Sequence, residues 1–580
     1  MHRFLFLLVF VGVFFLSPGV VPPLRAADDY VPGPDSKPQP DVPKGVVTKD
    51  VFDESRIFPG TTRDYWVYVP KQIDASKPAP VMIFQDGIQY SAPAVFDNLI
   101  HRQEIPALIG IFVMHGRTKP FVTNALERFN RSYEYDGLGD HYARFLLEEL
   151  LPHIAKKHGL NLTTNGNERA IAGASSGAIA AFTAAWERPE AFRRVFSSIG
   201  TYVGLRGGND YPTLIRKSEP KPIRVFLQDG SGDLNIYGGD WWMVNQEMER
   251  ALTFSGYDVN HIWGDGGHNG KHATAIFPEA LRWLWRDYPA EIRANAEKKS
   301  RQPMVTSILA DGSEWELVSE GHGFTEGPAA NAKGEVYFTD LANSRIHKIA
   351  LDGKVSVFAE DTGKANGLMF GPDGKLYACA TGKKQIVAYD EAGKSSVVME
   401  GIEGNDIAIN AHGDIYVTEP GAKQVTLVRG GEKRVVDKGV EFPNGVLLTP
   451  DQSLLYVADS RGQFVWSYSV MTDGSLTNKQ RYFHLHLPDA GLSGADGMTV
   501  DTNGNLYVAT ALGVQYCDQA GRVNGIIAKP QRKALSNVVF GGADFKDLYA
   551  TCGDKVYRRR TKQTGARSYL PPFKPKTPGL

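Results

Sequence analysis

The 580-residue sequence predicts two folded regions in tandem: an open, mostly parallel α/β sheet, then a closed ring of repeated β-strands. Three observations support this fold class. In the first half, short apolar runs alternate with amphipathic segments, the pattern of a sheet with helices on both faces. In the second half, one short motif recurs about every 40 residues. The 61 glycines indicate many turns, which argues against helical bundles and coiled coils.

Composition excludes several classes of protein. Lysine and arginine total 64 and aspartate and glutamate total 65, so the net charge is −1. A nucleic-acid-binding protein normally needs a basic surface, so we expect no nucleic-acid partner. Three cysteines are too few for a disulfide scaffold. Cys379, Cys517 and Cys552 are expected to be buried structural thiols.

The first 27 residues have the pattern of a secretory signal peptide. A basic start precedes thirteen apolar residues at 4–16, and small residues follow at a cleavage position. The alternative is an uncleaved membrane anchor, but a spanning helix needs about 20 residues. We therefore expect an exported protein, periplasmic or secreted, with no stable membrane association after cleavage.

Two polar segments divide the rest of the chain. Residues 28–45 contain five prolines and are expected to form an extended linker without a core. Residues 291–303 form a second polar linker. The predicted domains are therefore 46–290 and 304–565, with a C-terminal tail at 566–580.

A G-x-S-x-G motif at 173–177 lies between a predicted strand and a predicted helix. This context is typical of the nucleophile elbow of the α/β-hydrolase fold. The elbow would present Ser175 Oγ as a nucleophile and direct the Ser176 N–H toward a developing oxyanion. The alternative is a tight turn with a buried serine.

A serine nucleophile needs a base, and the base needs a carboxylate, in the chain order Ser, acid, His. Two later loops follow predicted strands and contain Asp233 and His268, which we predict as the acid and the base. Asp229 remains an alternative acid, and His272 is expected to be a capping or surface group. The second oxyanion N–H is expected near Gly87, in the loop after an earlier strand, or at the residue that follows it.

The first domain resembles the esterase family that includes esterase D and enterochelin-esterase-like enzymes. The matching segments are VMIFQDG, IAGASSGAIAAF, VFLQDGSGDLN and WGDGGHNGKH. The resemblance implies carboxylic-ester hydrolysis through an acyl-enzyme, with Ser175, Asp233 and His268 in the catalytic positions and no cofactor. It does not specify the ester.

Six related runs make up the second domain, and a period near 40 with several strands per repeat predicts a six-bladed β-propeller. The strand-forming run at 305–319 is expected to complete the last blade and close the ring. The runs begin at 334, 374, 413, 453, 504 and 546, and their tyrosines are Tyr337, Tyr377, Tyr416, Tyr456, Tyr507 and Tyr549.

One polar residue precedes each of these tyrosines by eleven or twelve positions, where an inner strand begins. Inner strands surround the central axis, so these side chains should converge there. The alternative is that Asn and Asp beside Gly simply make turns, although a turn does not require Glu. Carboxylate and amide oxygens around one axis suit a hard divalent cation. The six residues are Glu326, Asn366, Asn405, Asn444, Asp496 and Asn537.

This domain resembles the senescence-marker/gluconolactonase-like propeller family, through the segments FTEGP, EGNDIAI, FPNGVLLTPD and GADGMTVDTNGNLYV. The resemblance implies Glu326, Asn444 and Asp496 as metal ligands, Ca²⁺ as the metal, and hydrolysis of sugar lactones. Asp496 would also be the general base. Asn366, Asn405 and Asn537 are expected to contact the substrate, with Asn405 beside the metal.

The sequence therefore predicts an exported bifunctional hydrolase of sugar-derived esters or lactones, with a small-molecule or carbohydrate substrate. In one alternative, a single domain is catalytic and the other is a carbohydrate-binding or structural module. In another, the esterase domain has lost its activity.

Overall fold

The computed structural model describes residues 30–294, 304–489, 491–567 and 569–577. The predicted signal peptide, residues 1–27, and most of the predicted linker at 291–303 lie outside the described residues. Within the described ranges, no helix is both long and apolar enough to cross a membrane.

The first domain is built on an eight-stranded sheet in the order β1-β2-β4-β3-β7-β8-β9-β12. The first two pairings are antiparallel and the other five are parallel. This is the mostly parallel sheet predicted from the alternating pattern. Its strands are β1 Val46–Phe52, β2 Arg63–Val69, β3 Val81–Gln85, β4 Ile109–Val113, β7 Arg169–Ala174, β8 Arg194–Ser198, β9 Arg224–Gly230 and β12 Asp258–Gly264. Two short hairpins are formed by β5 Arg117–Thr118 with β6 Arg128–Phe129 and by β10 Asn235–Ile236 with β11 Gly239–Asp240.

Helices cover both faces of this sheet. One face packs against α1 and α8 around Phe84, Phe96 and Phe277. The other packs against α4, α5, α6 and α7, which contribute Ile154, Phe182 and other apolar residues. The helices are α1 Ala92–His101, α2 Arg131–Tyr135, α3 His141–Arg144, α4 Leu151–His158, α5 Ser176–Glu187, α6 Tyr211–Lys217, α7 Trp241–Phe254, α8 Lys271–Trp285 and α9 Val305–Ile308. A π-helical turn, Phe145–Leu150, joins α3 to α4.

The proline-rich segment packs against the first domain, contrary to the expectation of a linker without a core. The Tyr30 ring stacks on His272 with centroids 4.0 Å apart. Asp35 pairs with Arg102 at 2.8 Å and with Arg282 at 2.6 Å. The prediction that His272 is a capping or surface group is also wrong, because this side chain is buried.

The second domain is a six-bladed propeller, which confirms the fold predicted from the repeats. Each blade is a four-stranded antiparallel sheet, and β13 pairs with β36 to close the ring. Only Glu316–Ser319 of the predicted run 305–319 is a strand, whereas Val305–Ile308 forms helix α9, which packs against β33 of the propeller. The blades, inner strand first, are β14 Thr325–Ala330, β15 Val336–Asp340, β16 Arg345–Ile349 and β17 Val355–Ala359; β18 Ala365–Phe370, β19 Leu376–Ala380, β20 Gln385–Tyr389 and β21 Ser395–Glu400; β22 Ile407–Ile409, β23 Ile415–Glu419, β24 Gln424–Arg429 and β25 Glu432–Lys438; β26 Pro443–Leu448, β27 Leu454–Asp459, β28 Phe464–Val470 and β29 Leu476–His484; β30 Met498–Val500, β31 Leu506–Thr510, β32 Gly513–Cys517 and β33 Val523–Ile527; and β34 Leu535–Gly541, β35 Asp547–Cys552, β36 Lys555–Arg560 and β13 Glu316–Ser319.

The three cysteines lie on the second or third strands of their blades. Cys379, Cys517 and Cys552 are all buried and carry free thiols. Burial raises the pKa of each thiol, so all three are poor nucleophiles at neutral pH. They act as small apolar side chains between strands.

The two domains contact each other at the end of α6. Ser218 forms a parallel bridge with Ile526 on β33, the outer strand of the fifth blade. Next to it, Glu219 pairs with the buried Arg559 guanidinium at 2.7 Å. The contact therefore combines backbone pairing with a charged hydrogen bond.

Candidate active sites

The sharp turn after β7 holds Ser175 in a strained conformation. Its φ of 57° and ψ of −123° lie outside the regions that non-glycine residues prefer. Such a conformation costs about 1–3 kcal/mol and persists only where the surroundings enforce it. A Cβ on Gly173 would lie 2.1 Å from the Gly177 carbonyl oxygen, so the turn is too tight for a side chain there. This geometry explains the G-x-S-x-G pattern.

The structure brings Ser175, His268 and Asp233 together in one hydrogen-bonded chain. Ser175 Oγ lies 2.9 Å from His268 Nε2, and His268 Nδ1 lies 2.5 Å from Asp233 Oδ1. The Leu234 N–H donates to the same carboxylate oxygen at 2.6 Å, which fixes its orientation. With Nδ1 protonated against a carboxylate, Nε2 is free to accept the serine proton.

Asp229, the alternative acid, lies at the end of β9 behind Asp233. Its Oδ1 accepts the Gly230 N–H at 2.7 Å, while the Oδ2 atoms of Asp229 and Asp233 are buried without a donor. Burial and contact with Asp233 raise the pKa of Asp229 to about 9. Asp229 is therefore protonated at neutral pH and can donate its proton to the Asp233 carboxylate. It supports the acid of the chain and makes no contact with His268.

The loop after β3 differs from the prediction for the oxyanion donors. The Gly87 N–H donates to the Val113 carbonyl at 3.3 Å, so it continues the sheet and is not available to a substrate. The next N–H, on Ile88, makes no hydrogen bond within the described part of the chain, and neither does the Ser176 N–H at the start of α5. The N–H groups of Ile88 and Ser176 are therefore the available pair, and the assignment to Gly87 is wrong.

An ion pair that the sequence did not reveal holds this loop in place. Arg131 Nη2 donates to Asp86 Oδ2 at 2.7 Å, and Arg131 Nε donates to Asp86 Oδ1 at 3.0 Å. The same guanidinium reaches the Ala174 carbonyl at 3.4 Å, directly before the nucleophile position. A bidentate pair of this kind fixes both partners in one geometry. Arg131 therefore ties the oxyanion loop to the elbow.

Thr201 and Trp241 complete the surroundings of the serine. Thr201 Oγ1 lies 3.1 Å from Ser175 Oγ and accepts the Trp241 indole N–H at 3.2 Å. The Trp241 ring packs edge-on against His268, with centroids 5.8 Å apart. Because Trp241 is buried, its ring supports the position of the His268 side chain and does not form an open stacking surface.

In the propeller, irregular pairing marks the places where the predicted axial residues lie. The register shifts beside Glu326, Asn366, Asn444 and Asn537, on four of the six inner strands. A bulge redirects a side chain that would otherwise alternate with the pleat. Asp496 lies two residues before β30, in the corresponding position of its blade.

The glycines that follow these residues are explained by close approach between neighbouring blades. A Cβ on Gly367 would lie 2.3 Å from Asp406 Oδ1, and one on Gly497 would lie 1.9 Å from Asn537 Oδ1. A Cβ on Gly445 would lie 2.2 Å from the backbone oxygen of Asp496. The Asn-Gly and Asp-Gly pairs at these positions therefore do more than form turns, because each glycine leaves space for a residue of the next blade.

Asp406 is an axial residue that the sequence analysis missed. It occupies the position that glycine takes in four other blades, and it is buried. Its charge raises the pKa of Glu326 and of Asp496, which places three carboxyl groups in one cluster. Burial raises the pKa of Glu326 and of Asp406 to about 7 each, and that of Asp496 well above its usual range. Within the described ranges, no lysine or arginine pairs with any of the three.

The amide side chains of the cluster also present oxygens without donors. Asn444 Nδ2 donates to Ser460 Oγ at 2.9 Å, which leaves Asn444 Oδ1 buried and unpaired. Asn366 Oδ1 is buried and unpaired as well. Asn537 Nδ2 donates to Glu326 Oε2 at 3.4 Å. Unpaired buried oxygens and uncompensated carboxylates are costly without a cation, so this donor set fits a hard divalent ion.

Asn405 differs from the other predicted residues of this group. It is half-buried, and its backbone carbonyl accepts the Gly367 N–H at 2.8 Å. Among the described residues its side chain makes no hydrogen bond to the cluster, and the neighbouring Asp406 supplies the buried carboxylate of this blade.

Comparison with known proteins identifies both domains. The family described as "Putative esterase" matches residues 58–308, and the family described as "SMP-30/Gluconolactonase/LRE-like region" matches residues 324–554. A solved gluconolactonase structure from Xanthomonas campestris is 24% identical, with a TM-score of 0.40, and the match covers 44% of this chain and 92% of that one.

Two curated relatives are lactonases. A gluconolactonase from Zymomonas mobilis is 28% identical over 305 residues, which is 45% of this chain and 85% of the relative. Pentonolactonase XacC from Haloferax volcanii is 27% identical over 239 residues, which is 39% of this chain and 80% of the relative. The chain therefore joins an esterase-family domain to an SMP-30/gluconolactonase/LRE-like domain, and both are domains of enzymes that hydrolyse esters or lactones.

Proposed function

We propose that the protein is an exported hydrolase with two active sites, one for carboxylic esters and one for lactones. The observation that carries the esterase assignment is the unbroken hydrogen-bonded chain from Ser175 through His268 to Asp233. For the lactonase assignment it is the buried cluster of three carboxyl groups, Glu326, Asp406 and Asp496, which has no lysine or arginine partner among the described residues. Export is supported by the signal-peptide pattern of the first 27 residues.

In the esterase site, Ser175 Oγ attacks the ester carbonyl while His268 Nε2 takes the hydroxyl proton. Asp233 stabilises the resulting imidazolium through Nδ1–H. The N–H groups of Ser176 and Ile88 donate to the oxyanion, and the start of α5 adds its positive dipole end. His268 then returns the proton to the leaving alcohol. Water attacks the acyl-enzyme by the same route in reverse, and no cofactor takes part.

In the propeller site, Glu326, Asn444 and Asp496 would hold a divalent cation, with Ca²⁺ the best match to an all-oxygen donor set. A cation bound there would polarise the lactone carbonyl and lower the pKa of an attacking water. Asp496 is the carboxylate that would take the proton from that water. The amides of Asn366 and Asn537 would orient the lactone, and we assign the Asn405 side chain to the substrate side of the site.

We propose sugar-derived esters and lactones as the substrate class. The support for the lactone half is the similarity of the second domain to two relatives, a gluconolactonase and a pentonolactonase. If both sites act on sugar derivatives, the same mixture of sugar esters and lactones could supply substrates to both. Equal rates on long-chain lipid esters and on sugar esters would count against this part of the proposal.

The proposal is tested by assaying aryl-acyl esters and aldonolactones with four proteins: the parent, Ser175→Ala, Asp496→Asn, and the control Ser231→Ala in the exposed acid loop. We expect Ser175→Ala to lose only ester hydrolysis, and Asp496→Asn or a chelator to remove only lactone hydrolysis. If a single change removed both activities, only one domain would be catalytic. If the parent hydrolysed no lactone, the propeller would be a binding or structural module.

A further inference from the structure

A cluster of two histidines and one aspartate lies in the first blade of the propeller, formed by β14–β17. His322 lies in the loop before β14, Asp340 ends β15, and His347 lies on β16. One possible ligand atom from each side chain lies within 4.8 Å of those from the other two. Asp340 and His347 are buried, and His322 is mostly enclosed.

Within the described part of the chain, none of these three side chains pairs with a lysine or an arginine. His322 Nδ1 lies 3.4 Å from Asp340 Oδ2 without a well-aligned hydrogen bond. His347 Nε2 is buried and has no hydrogen-bond partner. The guanidinium of Arg345, on the same strand, pairs with Glu360 at 3.1 Å. A buried imidazole nitrogen without a partner normally costs free energy, which a bound cation would offset.

The other contacts of these side chains have the pattern found around metal ligands. Ser319 Oγ lies 2.6 Å from His322 Nε2, so that nitrogen can donate its proton and leave a lone pair on Nδ1. Asp340 is held by the Gly323 N–H at 3.1 Å and by Asn343 Nδ2 at 2.7 Å. Asp340 Oδ1 also accepts the N–H groups of Phe324 and Asn343, at 3.5 and 3.4 Å. The oxygen left for a cation is therefore Oδ2, which accepts Asn343 Nδ2 and otherwise only a long 3.4 Å contact from the Gly323 N–H. His347 is fixed by stacking on Phe338, with centroids 5.1 Å apart.

We propose that this cluster is a zinc site, formed by His322, Asp340 and His347 with water as the fourth ligand. Two imidazoles and one carboxylate are ligands that Zn²⁺ prefers, whereas the axial oxygens suit Ca²⁺. Ligands of a tetrahedral zinc site lie about 3.3 Å apart when the bonds are about 2.0 Å. The 3.4 Å between His322 and Asp340 already matches this spacing. His347, whose ligand atom lies within 4.8 Å of the other two, has to approach by up to about 1.5 Å.

The test measures zinc binding by the full-length protein in excess Ca²⁺, which occupies the axial oxygens. The protein is stripped with a chelator, returned to Ca²⁺, and titrated with Zn²⁺ alone by calorimetry. Metal content after desalting is then measured by mass spectrometry. We expect the parent to hold one more zinc per chain than His322→Gln or His347→Phe. The phenylalanine keeps the stacking on Phe338, and melting curves check that both variants fold.

Three further variants separate this site from other zinc-binding groups. His412→Gln changes an exposed histidine of the third blade and should bind zinc as the parent does. Glu326→Gln alters the axial cluster and should also leave zinc binding unchanged. Ser319→Ala should weaken it by about 10–100-fold, as loss of a supporting hydrogen bond does.

Two results would overturn the proposal. One is a parent protein that holds no zinc in excess Ca²⁺. The other is unchanged zinc content in both folded variants, His322→Gln and His347→Phe, which would place the ion elsewhere. If His347→Phe fails to fold, His322→Gln decides alone, because His322 lies in a loop outside the strands.

Discussion

The two candidate active sites are built in opposite ways. The esterase site takes single residues from three different loops and connects them by direct hydrogen bonds, so that each reacting group already has its partner. The propeller site takes the same position from several blades and leaves buried oxygens without partners. The first arrangement is complete in the protein alone. The second lacks positive charge, so it should depend on a cation for both stability and activity.

The largest effect should come from removing one residue of the hydrogen-bonded esterase site. His268→Ala removes the proton acceptor of Ser175 and should lower ester hydrolysis by at least about 10³-fold. Lactone hydrolysis should not change. The exposed His261→Ala, on the adjacent strand β12, is the matched control and should keep ester hydrolysis near the parent rate. A comparable loss in the control would mean that the change acts through the fold.

The next largest effect tests whether cation binding at the axial site depends on the negative charge of its carboxylates. Asp406→Asn removes one of three carboxylates while keeping its size, so Ca²⁺ affinity measured by calorimetry should fall at least about tenfold. Asp352→Asn, in an exposed hairpin of the first blade, should leave the affinity unchanged. Unchanged affinity in Asp406→Asn would show that the charge of this carboxylate does not contribute to cation binding.

The cation-free propeller should also lose stability as the pH rises. Glu326 and Asp406 have folded-state pKa values of about 7, above those of the unfolded chain, so the folded state retains protons that the unfolded state has released. The free energy of unfolding should therefore fall between about pH 4 and pH 7 in the presence of chelator. Melting curves across this range, repeated with Ca²⁺, measure the effect. A melting temperature that rises through this window without cation would contradict the assignment.

The smallest effect concerns the support of Asp233. Asp229→Asn replaces a protonated carboxyl group with an amide that can still donate to Asp233, so the ester hydrolysis rate at pH 7 should stay within about tenfold of the parent. The pKa of Asp229, about 9, means that the parent loses stability as the pH rises from about 4 toward 9. The variant should show a flatter profile in pH-dependent melting. Identical profiles would mean that Asp229 does not titrate as proposed.

The sequence predicted those features that recur in each repeat or that follow the end of a predicted strand. The 40-residue period identified the six blades and their closing strand, and the elbow motif with two later strand ends identified Ser175, Asp233 and His268. Long-range contacts could not be predicted in this way. The Gly87 N–H donates to the Val113 carbonyl, and Arg131, at the start of the short helix α2, pairs with Asp86 from 45 residues away in sequence. Neither contact therefore has a local sequence signal.

Asp406 is an intermediate case, because its signal was present in the sequence. It stands where four other blades have glycine, and comparison of the six repeats at that position would have singled it out. The same comparison gave no reason to expect the cluster around His322. The aspartate position recurs in the fourth blade as Asp459, but only the first blade has the two histidines.

The close approach at the glycines has a consequence for how such a protein can evolve. Each axial residue fills space that its neighbour has left open, so most changes at Gly367 or Gly497 would displace a side chain of the adjacent blade. The third blade has an aspartate in place of that glycine and thereby adds a negative charge to the axis. A glycine-to-aspartate change in one repeat is thus enough to add a carboxyl group to the axial cluster. The esterase elbow differs, because Ser175 and the glycines around it are held by close contacts and hydrogen bonds, and a substitution at Gly173 would collide with the Gly177 backbone.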